Sequence, residues 1–334
     1  MKKIILTNLP SFYSVNLYNR IADHLDLTVV FTGSDYDSRN EDFLNLNMKF
    51  KHIELKGNEI QKMFQFRKVL KSIPYDELII GGIASISAWM GIIVSPKSKT
   101  STIIESSINE STTKGIKGIL KRIFNGHMKR AYCSGKSQAD LAYATGFNGE
   151  MVITKGVGVF NYHQQPPYLE RKTVRNFVYV GRLVWQKNLH FLIKQFNRHP
   201  ELHLDIIGFG VQESELKSIA GDNINFLGAV NNKELAAYYN KADVFILASK
   251  SEAWGLVVEE ALNNGTPVMV SNKVGCADEI VNDSNGVVFE LTEEDFEQKL
   301  GIITNVEKYN SMRKYISEMD FDKIEEEQVK CYLK

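Results

Sequence analysis

A chain of 334 residues has room for two domains of ordinary size, and 43% apolar with 24% charged residues describes a soluble globular protein with an ample core. The net charge is zero, yet residues 1–165 carry 21 Lys and Arg against 14 Asp and Glu, and residues 166–334 carry 19 against 26, so a basic half precedes an acidic one. Three widely spaced cysteines, Cys133, Cys276 and Cys331, argue against a disulfide scaffold or a cysteine metal centre and fit a reducing compartment.

The opening segment, 1–8, has too short an apolar stretch for a signal peptide and reads as a first strand. Apolar runs at 3–6, 27–31, 77–80, 102–104, 131–133 and 151–153 predict strands with helical patterns between several of them. That rhythm belongs to βαβ units and a mostly parallel sheet. The uncharged stretch 78–94 is near the lower length limit for a membrane span, but Gly81-Gly82, Ser85 and Ser87 divide it into a strand and a small-residue helix. Glu105 stands at the carboxyl end of the strand at 102–104.

Residues 113–124 place Ile116, Ile119, Leu120, Ile123 and Phe124 on one helical stripe, with Lys114, Lys117, Lys121 and Arg122 elsewhere around the helix. Two readings stand: a core-packed helix with a basic outer face, or a membrane-surface helix, in which each cation adds about 1 kcal/mol near anionic lipid. Lys129, Arg130 and Lys136 enlarge the basic region. Nucleic acid explains it less well, because no recognition fold or interleaved aromatic platform accompanies the charge. The polar stretch 161–167, with adjacent prolines, reads as a linker.

The alternation resumes with a strand at 177–180, a helix at 189–196, a strand at 203–207, a helix at 212–219, a strand at 224–227, a helix at 233–240, a strand at 244–248, a helix at 256–263 and a strand at 268–270, then 279–281 and 286–289. Glu252 lies on the loop after the buried strand, and Glu260 lies eight positions on, within the first turns of the following helix. Ligands of open parallel sheets bind at this carboxyl edge, and Gly255 at the helix start bares backbone N–H groups that favour phosphate. The carboxylates then suit hydroxyl groups, and phosphate with hydroxyls suggests a sugar nucleotide. Carboxylates in a first turn also stabilise the helix dipole by about 0.3–1 kcal/mol, which is a sufficient reason for such a pair taken alone. Arg182 and Lys187, on the loop after the strand at 177–180, flank another helix start. They suit a diphosphate leaving group, or are solvated surface cations.

Asp35-Tyr36-Asp37 and Asp320-Phe321-Asp322 imitate an acidic metal-binding motif, but neither stands beside a nucleotide-binding constellation. No catalytic metal is expected. Ile206-Ile207-Gly208-Phe209-Gly210 lacks the third glycine of a dinucleotide fingerprint, which disfavours a dehydrogenase.

The order Glu252, Ala253, Trp254, Gly255, an apolar run, Glu260-Ala261, then Asn264-Gly265-Thr266-Pro267, resembles the EX7E signature of the retaining family 4 glycosyltransferases. Gly181-Arg182-Leu183, with Lys187 five residues after the arginine, resembles the matching element of that family. The resemblance implies the GT-B fold: α/β, with two Rossmann-like doubly wound domains facing each other across a cleft. Expected domains are 1–162 for the acceptor, a linker at 163–173, 174–316 for the nucleotide sugar, and a helix at 317–334 returning to the first domain.

It further implies metal-independent, cofactor-free transfer of a hexosyl or N-acetylhexosaminyl group, with retention, from a UDP-linked donor. The acceptor would be a glycan or lipid-linked saccharide of bacterial surface-polysaccharide synthesis, in the cytoplasm or at the inner face of the cell membrane. Arg182 and Lys187 would neutralise the diphosphate, Glu260 would bind ribose, Glu252 would bind the transferred sugar, and N–H groups at Gly255 and Leu256 would complete the site. Gly181 and the turn at Gly208 would support the donor, and the segment through Val230 would face the base. Ala253 and Trp254 would mark which sugar is held, and Glu105 would serve the acceptor. The first loop, Asn8 to Val15, has no glycine where the family usually has one. The alternatives are a sugar-nucleotide epimerase of the same architecture and a catalytically silent sugar-nucleotide-binding subunit.

Overall fold

The structure, a computed structural model, describes residues 1–33, 47–160, 167–232 and 234–334. Asp35-Tyr36-Asp37 and residues 161–166 of the predicted linker region lie outside the described residues. By backbone contacts the chain divides into two compact units, one of residues 1–161 with 322–334 and one of residues 162–321.

The first unit runs β1 (Lys2–Thr7), α1 (Phe12–Ala22), β2 (Asp26–Phe31), β3 (Lys51–Glu54), α2 (Glu59–Ser72), β4 (Glu77–Gly81), α3 (Ile86–Val94), β5 (Thr100–Ile104), α4 (Gly115–Gly126), β6 (Arg130–Cys133), α5 (Lys136–Ala144) and β7 (Glu150–Ile153). The strands are parallel, in the order β3-β2-β1-β4-β5-β6-β7. Side chains alternate faces along a strand, and here both faces are covered. Ile4, Leu6, Leu78 and Ile80 enter one apolar cluster, and Ile5, Ile79 and Tyr132 enter the other. That two-sided burial makes the strands continuous apolar runs, each fully buried side chain contributing about 1.5–3 kcal/mol. β3 has no such signature. Its Lys-His-Ile-Glu sequence lies at the sheet edge, largely exposed, and its backbone pairing to β2 is what makes it a strand.

The second unit runs β8 (Asn176–Val180), α6 (Leu189–Phe196), β9 (His203–Ile207), α7 (Glu213–Ile219), β10 (Ile224–Gly228), α8 (Leu235–Lys241), β11 (Val244–Leu247), α9 (Leu256–Asn263), β12 (Val268–Ser271), α10 (Ala277–Ile280), β13 (Gly286–Phe289), α11 (Glu293–Ile303) and α12 (Val306–Ser317). Its parallel sheet has the order β10-β9-β8-β11-β12-β13. The segment 279–281, which continues the strand series in sequence, instead begins within the short helix α10. β11 is buried at every position, from Val244 to Leu247, as its uninterrupted apolar run requires.

The last helix, α13 (Phe321–Cys331), belongs to the first unit. Glu325 accepts a hydrogen bond from the Phe160 backbone N–H at 2.9 Å and pairs with Arg20 at 2.7 Å, while Tyr332 stacks on Tyr132 with ring centroids 4.6 Å apart.

Candidate functional site

In the second sheet, β8 has β9 on one side and β11 on the other, and the chain leaves it in opposite directions on the two sides. At such a switch point the loops beyond the carboxyl ends of the strands part and leave a crevice. The loop after β8 carries Gly181, Arg182 and Lys187, and the loop after β11 carries Glu252 to Gly255.

Backbone hydrogen bonds bind these loops into one frame. Gly181 N–H donates to Ile207 O at 2.9 Å, Leu183 N–H to Phe209 O at 2.9 Å, Gly208 N–H to Gly228 O at 2.8 Å, and Lys250 N–H to Gln186 O at 2.8 Å. The loop after β12 holds the acidic loop from behind, through Glu252 N–H to Lys273 O at 3.2 Å and Gly275 N–H to Glu252 O at 3.0 Å. Gly208 is required at its turn: its φ is +135°, and a Cβ there would lie 1.9 Å from the Gly181 carbonyl oxygen. Gly208→Ala is therefore expected to destabilise the second unit by about 3 kcal/mol or more, lowering its Tm by roughly 10 °C in a thermal melt. An unchanged melt would show that the loop frame gives way without cost.

Across the crevice, Lys187 Nζ forms a tight ion pair with Glu252 Oε2, both side chains being largely shielded from solvent. Ser249 Oγ donates to the same carboxylate oxygen at 3.4 Å. Arg182 is exposed, and its guanidinium makes no hydrogen bond or ion pair with any described residue. Below them, the buried Tyr179 hydroxyl donates to the Arg182 carbonyl at 2.9 Å. Its pKa is raised, first by burial and then by the Glu252 charge, with Arg182 opposing. Glu252, Arg182 and Lys187 therefore form one cluster around the β8 loop.

Gly255 caps α9 with φ +102°, and a Cβ there would come within 2.8 Å of Val274 Cγ1. The first N–H groups of α9 have no intrahelical partners, so Leu256 stands at a positive helix end. One turn in, Glu260 Oε2 accepts a hydrogen bond from the Tyr239 hydroxyl of α8 at 2.9 Å. Burial pushes the Glu260 carboxyl up to about 7, against the pull of that hydrogen bond. Tyr239, Ser249 and Tyr179 are supporting residues that carry no motif. Only the fold brings Tyr239, on another helix, to Glu260.

The acidic loop departs from the expectation at one residue. Trp254 is 3% exposed and its indole N–H donates to Glu259, so its side chain belongs to the interior and only its backbone faces the loop. An aromatic ring with one polar atom gains more from burial with a partner than from exposure. Ala253, Gly208 and Val230 are partly exposed at the carboxyl edge.

In the first unit, Glu105 follows β5, exposed, at the wall of a cavity of about 80 Å³ that Thr7, Ser11, Tyr18, Ser134 and Tyr332 also line. The Ser134 hydroxyl is buried without a hydrogen-bond partner among the described residues. Asp322 of the second acidic motif lies 4.0 Å from Arg20. Among the described residues no group of three or more His, Cys, Asp or Glu could hold a metal ion.

Residues 163–319 match the family described as glycosyl transferases group 1. The chain is 32% identical over 183 residues to the O-antigen biosynthesis glycosyltransferase WbnH of Escherichia coli, covering 53% of this chain and 52% of that one. Among the curated relatives the match spans 22% to 52% of the relative's own length. The lipopolysaccharide outer core galactosyltransferase WaaB superposes with a TM-score of 0.72 over 98% of this chain and 99% of that one, at 16% identity. The Anabaena Alr3699/HepE structure in complex with UDP and glucose superposes with a TM-score of 0.69 over 98% and 97%, at 14% identity. At such identities the likeness establishes the fold, which is GT-B, with two Rossmann-like domains.

Proposed function

We propose that the chain, whose residues 163–319 match the glycosyl transferases of group 1, is a retaining, metal-independent glycosyltransferase of surface-polysaccharide synthesis using a UDP-sugar. The observation that carries this reading is the Lys187–Glu252 pair spanning the switch point, with the exposed Arg182 beside it and the α9 N-terminus beyond. Breaking the bond from the sugar C1 to the diphosphate oxygen leaves negative charge on the diphosphate. Arg182, Lys187 and the Gly255 and Leu256 N–H groups are the donors that meet it, and such preorganised charge acts mainly on the transition state. Glu252 exchanges its lysine for hydroxyls of the transferred sugar, and Glu260 accepts from the ribose. The acceptor is a saccharide or lipid-linked saccharide, one of whose hydroxyls approaches Glu105, and the reaction takes place in the cytoplasm at the inner face of the cell membrane. WbnH is named for O-antigen biosynthesis, and the HepE structure holds UDP and glucose, which supports this choice of pathway and donor.

A thermal-shift panel of UDP-, GDP- and ADP-sugars, with and without EDTA, tests it. The expected result is a shift with one UDP-sugar that EDTA leaves unchanged; a ligand at about 100 times its Kd stabilises by about 2.7 kcal/mol. Nuclear magnetic resonance of the product's anomeric proton then reads retention. No shift with any nucleotide sugar would remove the donor assignment.

A further inference from the structure

Helix α4 (Gly115–Gly126) is strongly amphipathic and faces the wrong way for a core helix. It packs on its unit through Gly118, Phe124 and Asn125, and Phe124 meets Trp89 of α3 edge-on at 5.5 Å. A Cβ at Gly118 would lie 2.2 Å from the Thr113 carbonyl oxygen, so the chain entering the helix lies close against that side. The opposite stripe is apolar and open: Ile116 is 78% exposed, Ile119 53%, Leu120 41% and Ile123 56%. Neighbouring α3 adds exposed Ile86 and Ile93. Four large aliphatic side chains on one helix face in water forfeit several kcal/mol of burial, and contiguous patches of that kind mark contact surfaces.

Charge selects the occupant. From residue 111 to residue 136 there are seven Lys and Arg and no Asp or Glu. Lys121 turns inward to Ser111 Oγ at 2.6 Å and the Thr112 carbonyl at 2.7 Å, and Arg122 reaches the Thr113 carbonyl at 3.3 Å. Lys114 and Lys117 remain exposed. A second copy meeting this face about a two-fold axis would set the exposed Lys114 and Lys117 against the same two cations. A surface that is apolar at the centre and anionic at the rim fits both features. At about 1.5 Å per residue a 12-residue helix reaches roughly 18 Å, too short to cross a bilayer, and no helix among the described residues is long and apolar enough to do so.

We propose that α4 is an interfacial anchor, lying in the plane of an anionic bilayer with Ile116, Ile119, Leu120 and Ile123 among the acyl chains and Lys114 and Lys117 at the headgroups. This goes beyond the donor site and does not depend on it. Co-sedimentation of the full chain with vesicles of mixed phosphatidylglycerol and phosphatidylcholine, against phosphatidylcholine alone, tests it. Binding is expected to the anionic vesicles and to weaken with salt. Ile119→Ser with Ile123→Ser should lower the partition coefficient more than about 10-fold, and Lys114→Gln with Lys117→Gln about 10-fold on anionic vesicles only. Removing two cations elsewhere, Lys308→Gln with Lys314→Gln, should change little.

All these positions are exposed, so each variant should keep its melting temperature and any shift by a UDP-sugar. Vesicle binding without a nucleotide shift would leave the anchor standing and remove the donor reading. A wild-type protein that does not bind, or stripe variants that bind like wild type, would overturn the anchor. A dimer in light scattering that Ile119→Ser splits would assign the stripe to a second copy instead.

Discussion

Arg182→Ala is expected to lower kcat/KM for the nucleotide sugar by about two orders of magnitude, chiefly through kcat, while the melting temperature stays within a degree or two. Structurally the side chain is dispensable: it is exposed and bonds to no described residue, so its removal unmakes nothing in the unliganded fold. In the proposed reaction it faces charge that grows as the diphosphate departs. A charge-assisted hydrogen bond contributes about 1.5–3 kcal/mol, and an interaction that strengthens in the transition state lowers kcat instead of raising KM.

Lys187→Ala should match it in rate but differ in stability, because it leaves Glu252 partly buried without its ion partner. Adding Glu252→Ala to Lys187→Ala should therefore recover part of the lost stability, a non-additivity read in a double-mutant thermal cycle. Steady-state kinetics beside the melts separates the two roles. Normal turnover by Arg182→Ala would sink the assignment of the diphosphate site.

Glu260 is expected to make donor binding and stability respond to pH in opposite senses. Its carboxyl is held up at about 7 in the folded protein, against an ordinary value of 4.5. Below pH 4.5 it is protonated folded or unfolded. As pH rises from there to about 7, the unfolded chain ionises first, so the folded state loses stability, by about 1–3 kcal/mol in all, and the loss is complete above about 7. Ribose hydroxyls donate best to the ionised form, so donor KM should fall over the same rise. Glu260→Gln should raise the Tm at pH 8, flatten the KM profile and lower kcat/KM by roughly one to two orders of magnitude. Tyr239→Phe, which deletes the hydrogen bond that opposes the shift, should move the KM profile to higher pH. A wild-type KM independent of pH between 5 and 8 would contradict the ribose role.

Much of the fold is legible in the chain because both sheets are parallel and covered on two faces, which turns their strands into short apolar runs. Helices α6 and α9 and strand β9 fall where the pattern puts them, since apolar periodicity, Asn264-Gly265 and Pro267 leave little choice. Edge strand β3 escapes, because an exposed edge is held by backbone pairing and asks nothing of its side chains. The site divides in the same way. Arg182, Lys187, Glu252 and Glu260 stand out because each lies on a loop or helix start that the strand pattern already places. Trp254 misleads: an aromatic beside a ligand loop reads as a contact, and its partner Glu259 is visible only once the loop closes on α9.

By itself the sequence determined the two Rossmann-like sheets, the loops that reach their carboxyl edges and the charged residues those loops carry, because all of these follow from local periodicity and turn chemistry. Tertiary structure alone decided which of those charges pair, that Glu260 is buried deeply enough to raise its proton affinity while the Tyr239 hydrogen bond opposes the rise, and that the α4 stripe faces outward. A helical stripe declares that some surface is apolar; which neighbour covers it, or whether any does, depends on packing between segments far apart in the chain.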